Sequence, residues 1–176
     1  MKGVIFNVVE EVVTELYDED TWDALLESAG VDGAYAALGN YPDEELIGIV
    51  VAGVEATGIE ADTLVRVIGQ HALKGLIERM PDSVEGAEDT FTFLRRVNDI
   101  IHPEVLKLYP QATPPAFTFH DHAEGMVVHY RSGRNLPALA AGLIEGCADV
   151  FDQDVAVEIL DDEVGPDTTA LLVRVS

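Results

Sequence analysis

Two stretches of this sequence concentrate side chains that can do chemistry. The first is Asn98-Asp99-Ile100-Ile101-His102-Pro103-Glu104. On a helix, Leu94, Val97, Ile101 and Val105 line up as an apolar stripe with His102 at its edge. An imidazole in such a setting can ligate a metal, most simply heme iron, or can serve as a satisfied core histidine. Pro103 carries no amide hydrogen, so one helical bond is missing and a kink is expected there. The second stretch is His129-Tyr130-Arg131-Ser132-Gly133-Arg134. If the chain is extended, Tyr130, Ser132 and Arg134 share one face and span about 13 Å at roughly 3.3 Å per residue. A phenol, a hydroxyl and a guanidinium in line suit one or two carboxylates, the arginine binding bidentately; the solvated face of a strand is the plain alternative. His120 and His122 also share a strand face, and His129 from a neighbouring strand would complete a metal site of an enzyme. No nucleophile or general base stands near them.

The elements that must position these groups change character along the chain. Val4, Val8, Val12 and Leu16 recur every fourth residue, opposite Glu10, Glu11 and Glu15, and predict an amphipathic helix over about residues 2–17. Asp20 is a candidate cap for a short helix through Leu26 that stops near Gly30. Pro42 with Asp43, Glu44 and Glu45 opens a helix that Gly58 ends. Another runs from about Ala61 to Arg79 before Pro81, and one opens at Asp89 or Thr90 and continues in altered form to Leu108. Beyond Thr113-Pro114-Pro115 the period becomes two. Phe117 and Phe119 alternate with polar or small neighbours, Met126 to Arg134 reads as extended, and a helix over about Pro137 to Phe151 follows. Strands near Val155–Leu160 and Leu171–Val175 flank a turn at Asp161, Asp162, Gly165, Pro166 and Asp167. The expected fold is α+β: an N-terminal helical subdomain of about residues 1–60, packed on an α+β subdomain of about residues 61–176 with an antiparallel sheet.

Composition narrows the function classes. With 33 acidic and 10 basic side chains, the net charge of −23 opposes nucleic acid and anionic membrane. Lysine is confined to Lys2, Lys74 and Lys107. Such a surface repels itself, which fits either a protein adapted to high salt or simply an acidic cytosolic one. The start is not that of a signal peptide, and no apolar run approaches the roughly 20 residues of a membrane span. The single cysteine, Cys147, excludes an internal disulfide, so a cytoplasmic protein is expected.

Taken together, these residues resemble the heme-nitric oxide/oxygen-binding (H-NOX) family, related to the sensor domain of soluble guanylate cyclase. The resemblance lies in Met1-Lys2-Gly3-Val4-Ile5-Phe6-Asn7-Val8-Val9-Glu10, in Asp18-Glu19-Asp20-Thr21-Trp22, and in His102-Pro103-Glu104-Val105 through Ala112-Thr113-Pro114-Pro115. Tyr130-x-Ser132-x-Arg134 and Gly142-Leu143-Ile144-Glu145-Gly146 complete it, in order, over essentially the whole chain. It implies heme b (protoheme IX) between the two subdomains, with His102 as proximal ligand and Tyr130, Ser132 and Arg134 on the propionates. Pro115 would press on the macrocycle, and Ile5 and Leu143 would line it. On the distal side, oxygen-binding members carry a tyrosine where this chain has Leu139; Val9, Ala72 and Leu76 are also apolar. Bound O₂ gains from a hydrogen-bond donor while NO and CO need little help, so the resemblance implies an NO sensor that excludes O₂. His71 is the one residue whose entry into the pocket would change that, and a surface position is expected for it.

The family mechanism would be rupture of the iron–His102 bond by NO, relaxation of the heme against Pro115 and a shift of the N-terminal helices. No effector domain follows Val175, so output is expected through a separate histidine kinase or cyclic-di-GMP enzyme, from a monomeric sensor with no catalysis of its own. Several relatives carry a Cys/His zinc site near the sheet; Leu136-Pro137-Ala138-Leu139 and the C-terminal hairpin hold no cysteine, so structural zinc is not expected. Cys147 reads as a small core residue. The readings from other classes are the His120/His122 enzyme and a cofactor-free acidic adaptor.

Overall fold

The computed structural model describes residues 1–161 and 164–176. Helix α1 (Gly3–Leu16) buries Val4, Phe6, Val8, Val9, Val12 and Val13, as its four-residue recurrence predicts. Helix α2 (Glu19–Ala29) is capped two residues earlier than expected. The Asp18 carboxylate accepts from the Thr21 backbone N–H at 2.8 Å and from its hydroxyl at 2.7 Å, while Asp20 lies inside the first turn. The hydroxyl three residues on makes Asp18 the better cap. Gly30 closes the helix in the left-handed conformation, at φ 69°. Helices α3 (Asp43–Thr57) and α4 (Ala61–Arg79) match the expected spans, with Gly58 at φ 71° between them.

Helix α5 (Thr90–Arg96) is capped by Asp89, whose carboxylate accepts from Thr92 N–H at 2.7 Å. It runs through a π-helical turn (Val97–Ile101) into α6 (His102–Leu108). The irregularity expected at Pro103 thus falls in the turn before it: His102 N–H donates to the Val97 carbonyl, five residues back. The proline ring crowds the carbonyl four residues earlier, and widening that turn by one residue relieves the clash.

The sheet is four-stranded and antiparallel throughout, in the order β1 (Ala116–His122), β2 (Gly125–Arg131), β4 (Thr168–Val175), β3 (Val155–Leu160). The expected turn between β3 and β4 includes Asp162, which lies outside the described residues. One face of the sheet carries Met126, Val128, Leu171 and Val173, all essentially fully buried. Against it pack helices α7 (Pro137–Glu145) and α8 (Cys147–Phe151), a single helix by sequence that Gly146 divides. A separate cluster of Phe6, Val9, Val13, Trp22 and Ile49 holds the N-terminal helices together. Helix α4 reaches both, through Leu73 in the sheet core and Ile68 against the N-terminal cluster.

Helices α4 and α7 meet backbone to backbone. A Cβ on Gly142 would stand 2.0 Å from the Arg66 carbonyl oxygen, and one on Gly69 would stand 2.7 Å from that of Leu139. Arg66 then crosses the seam, its guanidinium on both carboxylate oxygens of Glu145, at 2.8 and 2.5 Å, and on the Val157 carbonyl of β3.

Candidate functional site

The π turn and Pro103 deliver His102 to the first residue of α6, where its ring faces strand β1. The His102 and Phe117 ring centroids are 5.9 Å apart, and Phe117 lies 5.8 Å from Tyr130 and 6.3 Å from Phe119. Burial among these groups pushes the imidazole pKa down to about 4, although the Pro115 carbonyl, within hydrogen-bonding reach, pulls the other way. His102 is therefore a neutral imidazole at pH 7, the form that can donate a lone pair to a metal.

Tyr130 is 4 % exposed on the inner face of β2, opposite Thr169 and Phe117. Its hydroxyl accepts from Leu136 N–H at 3.2 Å, which leaves its own proton to be donated. Ser132 and Arg134 do not continue that face. The strand ends at Arg131, and a turn follows in which Asn135, at φ 48°, donates its N–H to the Ser132 carbonyl at 3.1 Å. Alternation fails here because a turn, unlike a pleat, rotates successive side chains away from a common plane. Ser132 Oγ accepts from Arg134 N–H at 3.2 Å.

The Arg134 guanidinium has partners that its sequence position did not reveal. Nε donates to Asp43 Oδ2 at 2.7 Å, and Nη1 donates to Thr113 Oγ1 at 2.6 Å. Asp43 Oδ1 in turn accepts from the Met1 amine at 2.6 Å. Between them the amine and Arg134 hold the Asp43 carboxyl below the usual range. Asp43 reads in sequence only as a helix-start acid; no spacing marks its partners 42 and 91 residues away.

The apolar candidates divide into groups. Ala72, buried, shares a cluster with Val8 and Val12, and Leu76 and Leu143 pack against it. Val9 instead belongs to the N-terminal cluster of Phe6 and Trp22. Ile5 and Leu139 are half-buried and belong to neither cluster. His71 is exposed, on the rim of a cleft of about 90 Å³ whose floor is Val8, Val12 and Ala72.

On the outer sheet face the His120 and His129 rings are 4.6 Å apart. His122 does not join them: its Nδ1 accepts from Glu124 N–H at 3.2 Å. Among the described residues no three His, Cys, Asp or Glu side chains are arranged to hold a metal ion. Cys147 is fully buried, and burial pushes its thiol up to about 12.

These features define an α+β domain in which a neutral, half-buried histidine on a broken helix faces the aromatic edge of a sheet. The family model described as haem-NO-binding matches residues 2–159, and the chain belongs to that family. Its domains, also called H-NOX, are heme-based gas sensors. The H-NOX protein of Shewanella oneidensis, solved in the Fe(II)NO state, is 29% identical, with a TM-score of 0.89 over 100% of this chain and 99% of that one. An H-NOX from Shewanella woodyi, solved in the Fe(II)CO state with IWP-051 bound, is 31% identical, with a TM-score of 0.81 over 99% of this chain and 94% of that one. The K. algicida H-NOX, at 20% identity and TM-score 0.85 over 100% of this chain and 97% of that one, shares the fold. No curated protein matches in a direct sequence search. Among the described residues no helix is long and apolar enough to cross a membrane.

The residues present fit a heme. His102 offers a neutral nitrogen ligand, and Phe117 and Phe119 an aromatic border. Tyr130 and Ser132 keep hydroxyl protons to donate to carboxylates, and Arg134 Nη2 makes none of the bonds described above.

Proposed function

We propose that this protein is an NO sensor that holds heme b through His102 and excludes O₂. The carrying observation is the neutral His102 imidazole, desolvated beside Phe117 and facing the Pro115 carbonyl, in a chain of the haem-NO-binding family. When bound, the heme would supply a ferrous iron able to take NO, and His102 would be the residue that holds that iron. Burial lowers the proton affinity of His102, which leaves a ring nitrogen lone pair free for that role. Tyr130, Ser132 and Arg134 orient the propionates by charge-assisted hydrogen bonds, with Asp43 as the carboxylate that competes for Arg134. Pro115, its φ fixed by the ring, presses on the macrocycle.

Selectivity rests on apolar side chains. Ile5, Val9, Ala72, Leu76, Leu139 and Leu143 offer no hydrogen-bond donor to a bound ligand, which disfavours O₂ far more than NO or CO. The exposed position of His71 supports that reading. Output passes to a separate effector, a histidine kinase or a cyclic-di-GMP enzyme, and the chain works as a cytoplasmic monomer without catalysis of its own.

The test is the absorption spectrum of the ferrous protein in air and then with NO. A five-coordinate histidyl heme that ignores O₂ and moves its Soret band to the blue with NO supports the whole reading, and His102→Gly should abolish or alter that band. A stable O₂ complex would sink the exclusion argument, and failure to take up heme would sink the function.

A further inference from the structure

Asn98 lies in the π turn, four residues before His102, and its side chain does the work of a missing β-strand. Nδ2 donates to the Phe117 carbonyl, and Phe117 N–H donates to Oδ1 at 3.1 Å. Strand β1 is at the sheet edge, paired only with β2, where Phe117 stands opposite Tyr130. In an antiparallel ladder both backbone groups of a residue point to the same side. Those of Phe117 reach Asn98, so they turn away from β2, and the amide of Asn98 caps an otherwise open edge. The same residue, Phe117, carries the ring that packs on His102, and Pro115 two residues earlier presents its carbonyl to the imidazole.

We propose that Asn98 is a positioning residue for His102: its two bonds to Phe117 tie the π turn to the sheet edge, so that the imidazole and the segment Pro115–Phe117 move as one body. The proposal rests on the heme reading above and adds a determinant of how readily His102 leaves the iron. A π turn contains one residue more than α-helical bonding would use, and such turns are rare and concentrate at functional sites. Reversion to α-helical bonding would rotate everything downstream by about 100°, one residue's worth of helix. Asn98 opposes that rotation by offering the turn two hydrogen bonds available only in its present phase. A released imidazole then stays between the Phe117 ring and the Pro115 carbonyl, close to where it must rebind.

The test uses the heme-loaded full chain with Asn98→Ala, which removes both bonds, and Asn98→Asp, which keeps only the acceptor for Phe117 N–H. Resonance Raman reads the iron–histidine stretch of the ferrous protein, stopped flow reads the rate of the NO-induced Soret blue shift, and hydrogen exchange reads the Phe117 amide. For Asn98→Ala we expect a broader stretch at lower frequency, a blue shift at least threefold faster and Phe117 exchange at least tenfold faster. Asn98→Asp should fall between it and the unaltered protein, and it carries the test alone should Asn98→Ala fail to fold. Accelerated Phe117 exchange with an unchanged stretch and unchanged rate would overturn the proposal, leaving Asn98 as a strand-edge cap only. An unaltered protein without a histidyl-heme stretch would refute the function itself, and this proposal with it.

Discussion

Replacing Gly142 by alanine tests the backbone-to-backbone approach of α4 and α7. The new methyl would stand 2.0 Å from the Arg66 carbonyl oxygen, 2.8 Å from its carbonyl carbon and 3.0 Å from Gln70 N. All three are backbone atoms of α4, so no rotamer change can clear them, and the helices must separate by about 1 Å or more to reach ordinary contact. Overpacking costs about 1–3 kcal/mol, and a rigid neighbour places this site near 3. Alanine returns about 1 kcal/mol in helix propensity, leaving about 2 kcal/mol net. At about 2–4 °C per kcal/mol for a chain of this size, the melting temperature should fall by about 4–8 °C. Separation would also lengthen the Arg66–Glu145 contacts across the same seam. Gly133→Ala is the control, since a Cβ there meets nothing within 4 Å. Thermal melts followed by circular dichroism decide the matter: a fall below about 2 °C for Gly142→Ala, or an equal fall for the control, would refute the claim that this seam is closed by backbone contact.

The remaining predictions concern charge and protonation. The pKa of His102 is about 4 in the fold against about 6.5 unfolded, so the unfolded chain binds the extra proton first. Stability of the heme-free protein should therefore fall as pH drops from 6.5 towards 4, and His102→Gln should flatten that slope; identical pH profiles would count against the buried neutral imidazole. With a net charge of −23, the melting temperature should rise between low and molar KCl, and an unchanged value would contradict strong self-repulsion. Cys147, buried and with its thiol raised to about 12, should resist an aromatic disulfide reagent at pH 8 until the protein is denatured; fast labelling of the native state would refute its core position.

What the sequence alone determined was local and periodic. The valine recurrence of α1, the prolines and acids that start helices, the glycines at 30 and 58 that stop them, and the change to period two at Phe117 all act over a few residues. They are legible because backbone sterics and one-sided burial operate at that range. The order of His102, the double proline and Tyr130-x-Ser132-x-Arg134 marked the family for the same reason: these are short-range signatures.

Tertiary structure decided what depends on partners distant in sequence. The strand stops at Arg131 because Ser132 and Asn135 close a turn, so the three propionate candidates do not lie along one pleat. The helix break moved from Pro103 to the π turn before it, where Asn98 could bond Phe117. Arg134 found Asp43 and Thr113, and Val9 joined a cluster apart from Ala72. None of these follows from spacing, because a charge or an amide accepts any partner of suitable chemistry. Which one it meets is settled by packing the helices and the sheet around a shared core.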